Sequence, residues 1–156
     1  MDISYNTAYV GGGISLALSH PNINELDLRN NVAEYSGGGI LMMESSPVIT
    51  NSTIESNASL YQGGGMLLTS NSNPQLSEVE FFYNTAEDGA GMLIDNSDPT
   101  LTDMVFIANL ATNAGGGMAI FQSDPLLTNI NIIGNEVNTS GSPLGGGGGG
   151  IILQES

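Results

Sequence analysis

The chain has 156 residues and a formal net charge of −15, with 16 acidic residues against one arginine, one histidine and no lysine. One basic residue cannot neutralise a phosphate backbone, which excludes a nucleic-acid binder and argues against binding anionic membrane surfaces. No cysteine means no disulfide framework and no thiolate metal site, and no apolar run approaches the ~20 residues of a membrane helix.

A repeat governs the chain from its start. Glycine clusters open at Gly11, Gly37, Gly63, Gly89 and Gly115, a constant step of 26 residues. Prolines at 21, 47, 74, 99 and 125 follow the same period, as do asparagines at 6, 31, 57, 84, 109 and 135. After each glycine cluster comes Ile14, Ile40, Met66, Met92 or Met118, and two residues on comes Leu16, Met42, Leu68, Ile94 or Ile120. That is period two, so each is a strand with those side chains facing inward. Two residues past each proline sits Ile23, Ile49, Leu76, Leu101 or Leu127. Three residues before each asparagine sits Ile3, Leu28, Ile54, Phe81, Phe106 or Ile132, and two after it a small residue, Ala8, Ala33, Ser59, Ala86 or Ala111. No stretch has a 3.6-residue period, and the glycines and prolines oppose a helix.

One such unit cannot bury its apolar side chains alone, but stacked on its neighbours it can. The expected fold is all-β: a single-stranded right-handed parallel β-helix, a solenoid of about six coils of ~26 residues with three short strands per coil. The right hand follows by analogy with parallel crossovers. The whole chain, 1–156, reads as one solenoid domain with an irregular last coil. There, residues 136–150 carry a loop insertion of about seven residues, because the corner at Gly148–Gly150 comes 33 residues after Gly115. Ile151, Ile152 and Leu153 then form the sixth strand.

The polar columns read as structure. Asn31, Asn57, Asn84, Asn109 and Asn135 form a ladder at a turn, where asparagine tolerates the left-handed conformation. Ser19, Ser45, Ser72, Ser97 and Ser123 form a second ladder.

These residues resemble a known family. Gly37-Gly38-Gly39-Ile40 with Ile54-Glu55-Ser56-Asn57 is similar to the GG[AG]I and FxxN repeats of chlamydial polymorphic outer-membrane proteins and related bacterial surface β-helix proteins. So are Gly63-Gly64-Gly65-Met66 with Phe81-Phe82-Tyr83-Asn84, and Gly89-Ala90-Gly91-Met92 with Phe106-Ile107-Ala108-Asn109. The resemblance implies a right-handed parallel β-helix, exported and displayed at a surface, often in adhesion.

Several residues are candidates for function. The chain starts part-way through one coil and stops part-way through another, with no capping helix. Two explanations fit: the chain is an excerpt of a longer solenoid, or the exposed core and strand edges are an interface, which makes Ile3, Asn6, Ile151 and Leu153 candidates for head-to-tail self-assembly. Leu41, Leu67 and Leu93 lie between inward positions and should face outward; with Phe121 they are expected to form an apolar contact stripe. Catalysis finds little support. Pectate-lyase-like enzymes of this fold class need a basic residue, and only Arg29 and His20 exist, the first suited to an ion pair and the second to a solvated turn. No cofactor motif occurs; stacked Asp98 and Asp124, near Asp95, are weak calcium candidates. Sequons place possible glycosylation at Asn51 and Asn138, while the match at Asn57 falls on the ladder. The expectation is a non-enzymatic, extracellular or cell-surface structural protein whose partner is itself, with no nucleic acid and no membrane insertion. The alternative is an adhesin-like segment that binds glycan or protein ligands. Any export signal is expected outside these residues, whose start lacks basic and apolar stretches.

Overall fold

The computed structural model describes residues 1–139 and 147–155. The first turn holds β1 (Asp2–Ser4), β2 (Thr7–Val10) and β3 (Ile14–Ala17). The second holds β4 (Asn22–Asn24), β5 (Asp27–Arg29), β6 (Val32–Ser36) and β7 (Ile40–Met43). From the third turn the two short strands after each proline fuse into one: β8 (Val48–Glu55), β9 (Ala58–Ser59) and β10 (Met66–Thr69). Next come β11 (Gln75–Phe82), β12 (Thr85–Asp88) and β13 (Met92–Asp95), then β14 (Thr100–Ile107), β15 (Leu110–Ala114) and β16 (Met118–Phe121). The last turn holds β17 (Leu126–Ile133), β18 (Glu136–Val137) and β19 (Ile151–Gln154).

Every pairing is parallel, and the three sheets each climb the solenoid one turn at a time. One runs β1-β5-β8-β11-β14-β17, with β4 also on β8; the second β3-β7-β10-β13-β16-β19; the third β2-β6-β9-β12-β15-β18. Six rungs enclose five full turns, and the ends add part of a sixth. The register stacks like on like: Ile14, Ile40, Met66, Met92, Met118 and Ile151 form one inward column. The corner at Gly148 is as expected, with φ +59 against +58 to +72 at the equivalent glycines. The seven residues 140–146 of the expected insertion lie outside the described residues.

The glycine corner is required sterically. Gly63 has φ +62, and a Cβ there would lie 2.5 Å from the Met66 carbonyl oxygen. The third glycine of a cluster faces the next rung: a Cβ on Gly91 would strike the Gly117 carbonyl oxygen. Close approach of successive backbones leaves no room for it.

Three expectations change in detail. First, the left-handed conformation does not belong to the ladder asparagines. It belongs to the residue before each, Tyr5, Asn30, Ser56, Tyr83, Ala108 and Gly134, with φ +53 to +61. Second, the long strands bend at Asn51, Glu78, Asp103 and Asn129, where φ is +50 to +54. That bend shifts the alternation by one residue, so a further inward column appears: Leu26, Ser52, Val79 and Met104 are all buried. Ser52 fits because its hydroxyl donates to the Thr50 carbonyl at 2.7 Å and accepts the Leu26 N–H at 3.1 Å. Third, Leu41, Leu67 and Leu93 form no surface stripe. They are buried with Ala119 in a second apolar cluster, against Val10, Phe121 and Ile152. The corner explains it: the first glycine folds the chain so sharply that a Cβ on Gly37 would lie 2.9 Å from that of Leu41, and Val10 at the end of β2 packs against the column. These leucines are core.

Candidate functional site: the two open ends

Inside the solenoid, each rung is covered on both sides. The ring stack of Phe81 and Phe106, centroids 4.7 Å apart and planes 9° apart, shows how closely columns fit. The ladder asparagines sit at zero exposure from Asn31 to Asn109. Asn57 is representative: its backbone N–H and Nδ2 both donate to Oδ1 of Asn84, at 2.9 and 3.2 Å, and Nδ2 also donates to the Leu28 carbonyl at 2.9 Å. Buried amides need such pairing, since an unmet donor costs about 1–3 kcal/mol. The serine ladder works alike. Ser72 N–H donates to Ser97 Oγ at 3.0 Å, and the Ser72 hydroxyl donates to the Thr69 carbonyl at 2.7 Å.

The terminal rungs carry the same pattern without the second neighbour. Among the described residues, β1, β2 and β3 are the outermost strands on one side and β17, β18 and β19 on the other, each with an unpaired edge. The column of Leu101, buried completely, ends in Leu127 at 36% exposure; the column of Ile120, also buried, ends in Leu153 at 64%. Ile3, Ile14 and Leu16 at one end, and Ile132 and Ile151 at the other, pack against the core and remain only partly buried. Thus Ile3, Asn6, Ile151 and Leu153 all lie on end surfaces, with Ile3 and Asn6 on one and Ile151 and Leu153 on the other. Leu41, Leu67 and Leu93 do not join them.

The other candidate residues are dispersed. Arg29 bridges Asp27 and Asp2, at 2.5 and 2.8 Å, an ion pair spanning two rungs. His20 is exposed, and its Nδ1 accepts the Ser46 N–H at 2.9 Å. That bond starts a third ladder that the sequence hides, because residue types differ along it. Ser46 Oγ accepts the Asn73 N–H, Asn73 Oδ1 the Asp98 N–H, and Asp98 Oδ1 the Asp124 N–H. Four unlike side chains share one property, a hydrogen-bond acceptor at short reach. Asp98 and Asp124 are therefore partners in a backbone ladder, and Asp95 stands in register with Phe121. Among the described residues no group of three or more histidine, cysteine or acidic side chains is placed to hold a metal ion. A shallow cleft of about 430 Å³ is lined by Glu78, Glu80 and Asp103 beside Asn51 and Thr53. Asn51 and Asn138 are exposed, whereas Asn57 is wholly buried in its ladder.

One surface feature is not evident from the repeat. Tyr9, Tyr35 and Tyr61 form a row on successive rungs two residues before the glycines: Tyr9 and Tyr35 stack with centroids 5.6 Å apart, Tyr35 and Tyr61 meet at a 53° tilt with centroids 4.8 Å apart, and all three stay exposed. Glu87 and Asn113 replace tyrosine on the next rungs, which ends the row. No helix among the described residues is long and apolar enough to cross a membrane.

The family model described as the right-handed beta helix region matches residues 1–156. No curated protein and no solved structure matches the chain.

Proposed function

The chain belongs to the right-handed β-helix family, and from that premise we propose that it is a non-enzymatic structural protein of a cell surface or the extracellular space, assembling by head-to-tail stacking of its own coils. One observation supports this reading: among the described residues, the first and last strands of all three sheets keep one edge unpaired, over partly exposed core columns. A second copy supplies the missing neighbour at each end. Contacts of that heterologous kind repeat without closing and give a filament. The acidic exterior suits it, since the net charge of −15 opposes lateral clumping while leaving the axial ends to the apolar columns. The resemblance to surface β-helix repeats supports the location. With one arginine and no lysine, the chain offers trypsin a single site, which suits a durable fibre. Neither a cofactor nor a metal enters this reading.

The exposed Tyr9, Tyr35 and Tyr61 row favours a second reading, an adhesin-like segment that binds a glycan or protein along its side. Electron microscopy of the purified chain with light scattering on the same sample separates the two. Filaments with an axial repeat of six rungs, about 29 Å, support self-stacking. Isolated short rods at all concentrations refute it and leave the side-binding reading.

A further inference from the structure

We infer that the joint between two copies is set in register and polarity by the asparagine ladder, with Asn135 of one copy donating to the side-chain oxygen of Asn6 of a second copy. This rests on the self-stacking reading and adds to it which atoms meet.

The ladder has a direction. At each interior step the backbone N–H and Nδ2 of one asparagine donate to Oδ1 of the next along the chain. Asn84 donates to Asn109 at 3.0 and 2.9 Å, and Asn109 to Asn135 at 2.9 and 2.8 Å. Nδ2 also reaches back to the preceding rung, as Asn109 does to the Phe81 carbonyl at 3.0 Å. At one end Asn6 donates to Asn31 at 3.0 and 2.9 Å, but among the described residues its own Oδ1 accepts nothing. Its Nδ2 turns to the Ser4 carbonyl at 3.2 Å instead of to an earlier rung. At the other end Asn135 receives from Asn109, while its backbone N–H has no acceptor among the described residues. One end of the column therefore finishes in a donor and the other in an acceptor.

Stacked head to tail, the two ends complete each other. Asn135 N–H meets Asn6 Oδ1; Asn135 Nδ2 keeps its bond to the Phe106 carbonyl and exchanges the Ile133 carbonyl of its own rung, at 3.3 Å, for the same Oδ1; and Asn6 Nδ2 exchanges the Ser4 carbonyl for the Ile132 carbonyl. The backbone repeats the match: Leu110 N–H donates to the Asn84 carbonyl and Glu136 N–H to the Asn109 carbonyl, so Thr7 N–H of a second copy meets the Asn135 carbonyl. Stacked head to head or tail to tail, acceptor faces acceptor or donor faces donor, and the like ends oppose each other. Extending the observed register by one rung sets Ile3 on Ile132 and Ser4 on Ile133, since Ile132 and Ile133 occupy the positions that Leu28 and Arg29 take over Ile3 and Ser4. All three sheets then run on through the joint, β17 into β1, β18 into β2 and β19 into β3.

The natural absence of cysteine makes the test direct. Ser4 and Ile133 point outward at opposite ends of one chain, too far apart to close within it. The double variant Ser4→Cys with Ile133→Cys puts two thiols about 4.8 Å apart by backbone across the joint, within disulfide reach. The control pair, Asp2→Cys with Ile133→Cys, is offset by two residues, about 8 Å, and out of reach. Mild oxidation is expected to give a reductant-reversible ladder of dimers, trimers and longer chains for the first pair and monomer for the control. Light scattering that shows assembly without a ladder for the first pair, or with equal ladders for both, overturns the register and leaves self-stacking standing. No assembly by scattering in either variant or in the parent overturns both.

Discussion

Strands β14 and β17, TLTDMVFI and LLTNINII, carry the same pattern of inward apolar residues and pair in register, yet one is core and the other surface. Leu101, Met104 and Phe106 are wholly buried on β14, while the equivalent Leu127, Ile130 and Ile132 keep part of their surface in water. The difference lies in the neighbours. Among the described residues β14 has a rung on each side and β17 has one. In a solenoid a rung's pattern states what it can bury, and the adjoining rungs decide what it does bury.

Substitutions placed at equivalent positions of interior and terminal rungs turn that contrast into numbers. The largest effect is expected at the apolar corner. Leu93→Asp sets a carboxylate at a fully buried position and should cost about 4 kcal/mol or more, seen as loss of the cooperative melt by circular dichroism. Ile152→Asp, on the terminal rung of the same cluster, should leave a foldable chain. A folded Leu93→Asp variant with changed assembly alone would restore the surface stripe that burial contradicts. Next comes Phe106→Ala, which opens a cavity beneath Phe81 and should cost about 3–5 kcal/mol in urea unfolding. Ile132→Ala, one rung on, should cost about half as much in the dilute chain, because water already reaches it. Asn84→Ala follows: it strands the Asn57 donors inside the solenoid at a cost of about 3 kcal/mol. Asn6→Ala, with its ladder open to water, should cost about 1 kcal/mol by the same measurement. Equal costs within any pair would mean that the terminal rungs are covered in the isolated chain.

The smallest expected effect depends on pH. Burial holds the Asp88 carboxyl above its ordinary value, against weaker downward pulls from the Asn113 side chain, which donates to it at 2.7 Å, and the Ala114 backbone N–H. With the folded value raised, the folded chain binds more protons than the unfolded one just above the ordinary value of 3.8. Stability therefore falls as pH rises through that window, and the deficit persists at neutral pH. Asp88→Asn keeps an acceptor for Asn113 and removes the deficit. A small rise in Tm is expected at pH 7 and none at pH 3; a rise of the same size at both would assign it to packing.

The comparison also explains what was legible in advance. Glycine, Ser-x-Pro and asparagine recur at fixed spacing because corners and ladders accept few residue types, so the coil, its strands and the inward columns of its regular alternation follow from spacing alone. Features that many residue types satisfy stay hidden. His20, Ser46, Asn73 and Asp98 share only an acceptor, so their ladder has no consensus. Asn51, Glu78 and Asp103 share only a left-handed bend, and the three-residue spacing from Leu76 to Val79 and Leu101 to Met104 breaks the alternation there. The burial of Leu41, Leu67 and Leu93 depends on how sharply the glycine corner closes, a three-dimensional fact that period-two reasoning assigns to the wrong side. Of the candidate residues, the ladder asparagines and the end positions lie where the repeat puts them, and the leucine column does not.

Amide hydrogen exchange on strands β1 and β17 as a function of protein concentration tests the central claim most directly. If copies stack head to tail, the terminal amides exchange quickly in dilute solution and approach the protection of β8, β11 and β14 as concentration rises, with the Asn135 and Thr7 amides slowing together. Terminal exchange that stays fast at every concentration, while the interior remains protected, would contradict the account.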